Sequence, residues 1–237
     1  MELRPGFKPD QLRARYNVEK FVEDEWHTYA GRRTRAIIHR YVSLSRSTSR
    51  LLLNAGAGVY ELKLESWEEL SVDLFSAPLR EHRRAVCANI EELPFGSAQF
   101  GAVVCVGEVL GYCDPARAIA EFSRVLAPGG VLVCDFGNSR SFRYWISTNY
   151  GRAAAMVNDK YNDTIEYIWV YDPNYIRSVL ASLGFSIKHV FGTHSWSGLS
   201  RRLGASSRAS VCVQQLLDWL PSPVEFCDVM TIVAFRS

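Results

Sequence analysis

The 237-residue chain has few cysteines, and none of its six forms a Cys-x-x-Cys pair. No Cys/His spacing matches the ligand set of a tetrahedral metal centre, so we expect no metal site. Several cysteines stand inside apolar runs, where a reduced thiol packs as a small hydrophobic group. This pattern favours core packing in a reducing compartment over a disulfide framework.

Long apolar runs and a strong charge of one sign are also missing. No run approaches the ~18 apolar residues of a membrane-spanning helix, and the N-terminus has no apolar stretch typical of a signal peptide. The formal net charge is only +2, and four early arginines recur at near-helical spacing, which favours a solvated helix face over a polyanion site. We therefore expect a cytoplasmic protein that binds neither membranes nor nucleic acid. The arginines are Arg32, Arg33, Arg35 and Arg40.

Apolar periodicity predicts an α/β protein that forms one domain. Residues 10–44 have helical spacing, which Gly31 should break into two helices. Near-continuous runs of Val, Leu, Ile and Cys then alternate with helical stretches, as expected of a parallel sheet covered on both faces. The runs begin at Leu51, Leu70, Ala85, Gly101 and Val131.

Two helices have clear start signals, because Asp114-Pro115 and Asp172-Pro173 supply a capping carboxylate and a proline in the first turn. The first should stop at the Pro-Gly-Gly of 128–130. The second is followed by two strand-like segments, SIKHVF and DVMTIVAF. Between them lies an insertion, 194–223, whose VCVQQLLDWL segment is typical of a helix.

The first strand runs into LLLNAGAGVY, where Gly56 and Gly58 allow a ligand to approach the backbone closely. Asp73 follows the second strand, fifteen positions beyond Gly58, where a carboxylate can accept hydrogen bonds from both ribose hydroxyls. Asn89 and Ile90 follow the third strand, where an amide can read an adenine edge and an apolar side chain can cover its face. Taken alone, two glycines are equally compatible with a tight turn, and Asp73 with a cap.

The turn lacks the third glycine of a dinucleotide fingerprint, because Tyr60 stands there. The following VYELKLESWEEL leaves little room for a full helix before the second strand, so no helix N-terminus is available to a diphosphate. This argues against NAD, FAD and ATP and favours a nucleoside with an uncharged link. A short-chain oxidoreductase is further disfavoured because no Tyr-x-x-x-Lys pair follows the fourth strand.

Five segments, in order, resemble the class I S-adenosylmethionine-dependent methyltransferases, most closely the small-molecule branch. They are LLLNAGAG, VDLF, NIEELPF, FGAVVCVGEVLGYCD and AEFSRVLAPGGVLV, between Leu51 and Asn138. The resemblance implies a doubly wound, mostly parallel seven-stranded sheet with an antiparallel C-terminal strand and added N-terminal helices. It implies S-adenosylmethionine as cofactor and S-adenosylhomocysteine as product. The implied division is an N-terminal cap (1–48), a cofactor-binding core (49–138) and an acceptor-side half (139–237).

The resemblance also assigns residues to the cofactor. Gly56 and Gly58 would pass under its methionine part, Asp73 would bind the ribose, and Leu74, Asn89 and Ile90 would hold the adenine. The full set is Asn54, Ala55, Gly56, Gly58, Asp73, Leu74, Asn89, Ile90 and Gly107, with Tyr16 and Trp26 as lid residues on the N-terminal helices.

Two positions depart from the family pattern, which usually has an acid where Asn54 and Asn89 stand. Each amide keeps an acceptor but loses a negative charge, so we expect cofactor binding to weaken by roughly 0.5–1.5 kcal/mol per affected hydrogen bond. The departures keep open an alternative, a catalytically impaired methyltransferase-like domain that serves binding or assembly.

Methyl transfer from a sulfonium is an in-line displacement in which positioning supplies much of the acceleration. Glu108, after the fourth strand, is the candidate for orienting the acceptor or the cofactor's amino group; a solvated or capping glutamate is the alternative. His194, at the end of a predicted strand, is a candidate base or a structural histidine. The hypothesis is transfer to O or N of a small molecule, with the acceptor pocket formed by the N-terminal helices and 194–223. The sequence does not distinguish a monomer from a homodimer.

Overall fold

A seven-stranded sheet organises the fold, and its strand order is β3-β2-β1-β4-β5-β9-β8. The computed structural model describes residues 25–161, 164–217, 219–220 and 223–237. Strands β1 to β5 run parallel, and β9 runs antiparallel to both of its neighbours. The predicted sheet is therefore confirmed. The strands are β1 (Leu51–Ala55), β2 (Glu68–Asp73), β3 (Ala85–Cys87), β4 (Phe100–Cys105), β5 (Leu126–Gly137), β8 (Phe185–Thr193) and β9 (Val229–Arg236).

Helices cover both faces of this sheet. Helix α1 (Glu25–Val42) packs Ile38, Tyr41 and Val42 against alternate residues of β1, β4, β5 and β9. Helices α2 (Pro115–Val125) and α3 (Pro173–Ser182) cover the opposite face. Asp114 and Asp172 cap these two helices as expected, each accepting a backbone N–H two residues on.

Two predictions about helix ends are wrong. Gly31 does not break α1, because the helix continues through it; a glycine inside a helix costs only about 1 kcal/mol relative to alanine, and the packing of the last turns on the sheet outweighs that. Helix α2 ends at Val125, before the Pro-Gly-Gly of 128–130, because Leu126 already pairs with Phe100 and begins β5. Tyr16, one of the two predicted lid residues, lies outside the described residues.

The connection from β1 to β2 has no helix: residues 56–67, all of which the structure describes, form turns and extended backbone. Glu69 of β2 holds this connection together. Its carboxylate accepts the backbone N–H groups of Leu62 and Lys63 at 2.9–3.0 Å and the side-chain amide of Asn54 at 2.8 Å. A carboxylate thus satisfies backbone donors that a helix would satisfy internally.

The sequence analysis missed a hairpin of β6 (Ala154–Tyr161) and β7 (Thr164–Tyr171), which forms a separate two-stranded sheet. It packs on the 3-10 helix Val109–Tyr112 that follows β4. Gly111 allows that contact, because a Cβ there would lie 2.4 Å from Ile168. Within the predicted insertion 194–223 the structure places two helices, α4 (Ser195–Arg202) and α5 (Ser207–Leu217).

Candidate active site

The carboxyl ends of β1 to β5 meet at one edge of the sheet, as parallel strands require. The segments singled out from the sequence follow these strands. They leave β1 at Ala55, β2 at Asp73, β3 at Cys87, β4 at Cys105 and β5 at Gly137. This shared edge is where a ligand binds in open α/β sheets.

The two glycines of the first turn have different environments, although both have positive φ (73° and 54°). A Cβ on Gly56 would lie 2.5 Å from Cγ1 of Val109, so Gly56 lets the turn pack against the segment after β4. A Cβ on Gly58 would meet none of the described residues within 4 Å. Gly56 therefore serves the packing of the turn, whereas Gly58 presents bare backbone at the edge of the sheet.

Asp73 binds the same turn from the neighbouring strand. Its Oδ2 accepts the N–H of Gly58 at 2.9 Å, and its Oδ1 accepts the N–H of Phe75 at 3.0 Å. Burial raises the pKa of Asp73, although these hydrogen bonds act in the opposite direction. A carboxylate has about four acceptor sites, so each oxygen keeps capacity for one hydroxyl donor such as a ribose supplies.

Asn89, Ile90 and Leu74 lie beyond the adjacent strands β3 and β2. The side-chain oxygen of Asn89 accepts the N–H of Glu91 at 3.0 Å, forming a local turn. Ile90 is buried and Leu74 half-buried. The structure thus gathers the three residues predicted for the adenine at one end of the sheet edge.

Asn54 is buried, and its role follows from its neighbour on β2. Its amide nitrogen donates to Oε1 of Glu69 at 2.8 Å and to the backbone oxygen of Tyr60 at 2.9 Å. The negative charge that the sequence lacks at position 54 is therefore present on the next strand. Glu69 was not among the residues predicted for the site; its alternation with Ser71 on a half-buried strand was the available signal.

The turn after β4 repeats the arrangement of the first turn. Gly107 (φ 86°) and Glu108 (φ 58°) both have positive φ, and a Cβ on Gly107 would find no described atom within 4 Å. Their backbone N–H groups donate to Oδ2 and Oδ1 of Asp135 at 3.0 and 2.7 Å. Burial in β5 raises the pKa of Asp135 to about 6. Asp135 was not predicted either, and its only signal was an acid inside the apolar run VLVCDF.

His194 and Trp26 lie at a different part of the edge. Their rings stack with centroids 3.5 Å apart, and Nδ1 of His194 lies 2.9 Å from Oγ of Ser197. His194 is only 1% exposed. It follows β8, three strands from β4, a separation of roughly 14 Å at about 4.8 Å per strand. The structure therefore does not bring His194 together with Glu108, and Trp26 contacts the histidine.

These residues fit an adenosyl group better than a dinucleotide. Gly58 and Gly107 present backbone without side chains on neighbouring strands, and Asp73 offers acceptors beside them. Residues 54–62 contain no Lys or Arg, and no helix begins in this turn, so a diphosphate would lack the charge that usually stabilises it. Within the described part of the chain, no three His, Cys, Asp or Glu residues group as metal ligands, and no helix could span a membrane.

A family model described as a methyltransferase domain matches residues 53–134, which contain both glycine turns and Asp73 and end one residue before Asp135. Over these residues the chain is similar to the class I S-adenosylmethionine-dependent methyltransferases. Their cofactor, S-adenosylmethionine, is the group that the glycine turns and Asp73 fit.

The chain is 26% identical over 195 residues to the uncharacterized protein MJ1252 of Methanocaldococcus jannaschii, covering 74% of this chain and 77% of that protein. Its fold is similar to that of a putative S-adenosylmethionine-dependent methyltransferase from Listeria monocytogenes (TM-score 0.62, 13% identity, 87% and 99% coverage). It is also similar to that of geranyl diphosphate C-methyltransferase from Streptomyces coelicolor (TM-score 0.59, 16% identity, 95% and 86% coverage).

Proposed function

We propose that this methyltransferase moves the methyl group of S-adenosylmethionine to an oxygen or nitrogen of a small-molecule acceptor. The observation that carries the proposal is the pairing of Gly58 with Asp73. A positive-φ glycine presents backbone at the edge of the sheet, and its N–H is held by a buried carboxylate of the next strand. That pairing brings an acceptor for ribose hydroxyls beside a glycine whose Cβ direction is open, where the sulfonium link could pass close to the backbone.

The proposed role of each residue follows from its position along the edge of the sheet. Asp73 would accept the ribose hydroxyls, while Leu74, Asn89 and Ile90 would hold the adenine. Gly107 allows the methyl-bearing end to lie close to the backbone after β4, and Glu108 would orient an acceptor O–H or N–H. The cofactor supplies an electrophilic methyl group on a sulfonium. Most of the acceleration then comes from alignment, worth up to ~7–11 kcal/mol in ideal cases.

The acceptor side lies beyond β5. Arg140 does not offer a free charge there, because its Nε donates to Asp172 at 2.7 Å. Arg143 lies over the ring of Tyr144, 5.8 Å from its centroid, and Trp145 is 59% exposed. This mixture of aromatic rings and one arginine favours an aromatic or weakly anionic acceptor. A hydroxyl or amine on such a molecule would give Glu108 a proton to bind.

Calorimetry with S-adenosylhomocysteine tests the cofactor site. The wild type should bind it, and Gly58→Ala should weaken binding about tenfold or more because the new methyl group projects into the open side of the turn. Gly184→Ala is the matched control: Gly184 also has positive φ (81°) and the described residues leave its Cβ direction open. Both variants lose about 1–2 kcal/mol of stability from backbone strain, but only Gly58→Ala should lose affinity. Absence of binding by the wild type would overturn the proposal.

A non-catalytic binding or assembly domain is the second candidate, and the amides at 54 and 89 favour it. Asn54 is committed to Glu69, and the Asn89 oxygen to its own turn. Incubation with methyl-labelled S-adenosylmethionine and a panel of phenols, amines and carboxylic acids separates the two. Transfer of label to one class of acceptor supports the enzyme, whereas tight cofactor binding without transfer to any of them supports the binding domain.

A further inference from the structure

We propose that Asp135 is a positioning residue of the methyl-transfer site: its carboxylate holds the Gly107–Glu108 turn in the conformation that presents both residues to the cofactor. The role of this turn at the cofactor depends on the proposed function. The contacts that hold the turn are observed in the structure.

The sheet register brings Asp135 to this position. The last paired residues of β4 and β5 are Cys105 and Cys134. Asp135 is the next residue of β5, so its side chain stands where the partner strand has just ended. The chain leaving β4 bends back, and two consecutive N–H groups, of Gly107 and Glu108, donate to the two oxygens of the one carboxylate. The two bonds use separate oxygens, so both amides are fixed together.

The turn needs such a partner because its backbone conformation is costly. Glu108 has a Cβ and yet adopts φ 58°, in the left-handed region that disfavours L-residues other than glycine. Hydrogen bonds to an ionised carboxylate are stronger than those to a neutral acceptor. The two bonds to Asp135 therefore stabilise a conformation that the residue types at 107 and 108 would not adopt on their own.

The Glu108 side chain is placed by the same strand. Its Oε2 lies 2.9 Å from the position that a Cβ on Gly137 would occupy. Gly137 stands two residues beyond Asp135, on the same face of β5, because side chains alternate along a strand. Asp135 thus fixes the backbone of Glu108, and the absence of a side chain at Gly137 leaves room for its carboxylate.

The arrangement at Asp73 supports this role. There too a buried aspartate at the end of the next strand accepts the N–H of a positive-φ glycine that faces open space, Gly58. The same pairing of an aspartate with a positive-φ glycine thus occurs at both turns that flank the proposed cofactor site. At the first turn the aspartate also has a predicted ligand, the ribose, whereas at the second it acts through Gly107 and Glu108.

Two measurements on Asp135→Asn test the proposal. The amide is close in shape to the carboxylate but has one acceptor oxygen, so one of the two N–H groups loses its partner. Hydrogen exchange should then be faster at the backbone amides of Gly107 and Glu108, while the amides of the sheet strands keep their protection. Affinity for S-adenosylhomocysteine, measured by calorimetry, should fall about fivefold to tenfold.

Asp172→Asn is the matched control, because Asp172 is equally buried and also accepts a backbone N–H, at the start of α3. It should lose stability but keep its affinity within about twofold and leave exchange at 107 and 108 unchanged. Equal affinities of the two variants, or faster exchange across all strands of Asp135→Asn, would overturn the positioning role.

The wild-type chain provides a test that does not depend on either variant folding. Without cofactor, the amides of Gly107 and Glu108 should exchange ~100-fold or more slowly than in an unstructured peptide. Exchange at the unprotected rate would show that the bonds to Asp135 do not persist and would overturn the inference. If the amides are protected but S-adenosylhomocysteine does not bind, the proposed function fails and the contact stands.

Discussion

The connections from β1 to β2 and from β4 to β5 begin alike and continue differently. Each starts with a positive-φ glycine turn whose amides are held by a buried aspartate of the next strand, Asp73 or Asp135. The second connection then forms helix α2, whose apolar residues cover one face of the sheet. The first has no helix in residues 56–67, where Glu69 accepts the free backbone donors.

The difference shows what a crossover between parallel strands must provide. It must satisfy its backbone N–H groups and cover the apolar face of the sheet. In the first connection Glu69 satisfies the donors, and Leu64 and Trp67 join α1 in covering the face. Beyond its glycine turn, the first connection is therefore held by the Glu69 side chain, whereas the second satisfies its backbone groups within helix α2.

The largest expected effect is from Glu69→Ala. It would leave the N–H groups of Leu62 and Lys63 without their acceptor and would remove one of the two acceptors of the Asn54 amide, at a cost of about 4 kcal/mol in the free energy of unfolding. Urea denaturation measures it. Glu68→Ala is the control: Glu68 is an exposed neighbour paired with Arg84, and such surface pairs contribute about 0–1 kcal/mol. Similar losses in both variants would show that the connection does not depend on the Glu69 carboxylate.

The second prediction concerns the pH dependence of stability at Asp135. Burial raises its pKa to about 6 in the folded chain, against about 3.9 when unfolded. Between these values the folded chain binds more protons, so the contribution of Asp135 to stability is present below about pH 4 and is lost as the pH rises to 6. The stability of the wild type relative to Asp135→Asn should fall by up to about 3 kcal/mol between pH 4 and pH 7. Denaturant titrations of both chains at each pH check this, and a constant difference would contradict it.

Asn54→Asp should cost about 2 kcal/mol at pH 7, because it puts a carboxylate oxygen 2.8 Å from Oε1 of Glu69 in place of the donor that stands there. Combining it with Glu69→Gln restores one donor and one charge, so the double variant should recover at least half of the loss. A single variant as stable as the wild type would show that a second carboxylate beside Glu69 does not destabilise this end of β1 and β2.

The smallest effect is expected from Asp114→Ala, which removes the cap of α2 and its bond to the N–H of Ala116. Loss of such a cap costs about 1 kcal/mol. Thermal or urea unfolding measures it, and S-adenosylhomocysteine affinity should stay unchanged. A loss as large as that of Glu69→Ala would remove the contrast between a connection held by many helix bonds and one held by a single carboxylate.

Local patterns in the sequence were enough for the sheet and for the helices that start at Asp114-Pro115 and Asp172-Pro173. Each of these signals acts within a few residues: a buried strand needs apolar side chains, and a helix start needs an acceptor. The missing helix between β1 and β2 was also predictable, since the nine residues between Gly58 and β2 leave too little length. The helix break predicted at Gly31 was wrong because the packing of α1 on the sheet, which stabilises the helix, cannot be inferred from the few residues around the glycine.

Asp135, Glu69 and the hairpin β6–β7 could not be found in the same way. Asp135 is a polar residue in an apolar run, and its purpose appears only when the register of β4 and β5 brings the Gly107 and Glu108 amides to it. Glu69 has its role only because Asn54 lies beside it on the next strand. His194 stays a prediction as a base, and the structure gives it a buried stacking contact with Trp26.

The sequence by itself determined the α/β sheet, the two glycine turns and the aspartate that follows β2, because apolar periodicity and glycine's conformational range are properties of short stretches of chain. Tertiary structure alone decided which carboxylate holds which turn. Those bonds join residues 6 to 28 positions apart, and their partners are chosen by strand order and register, which no single segment encodes.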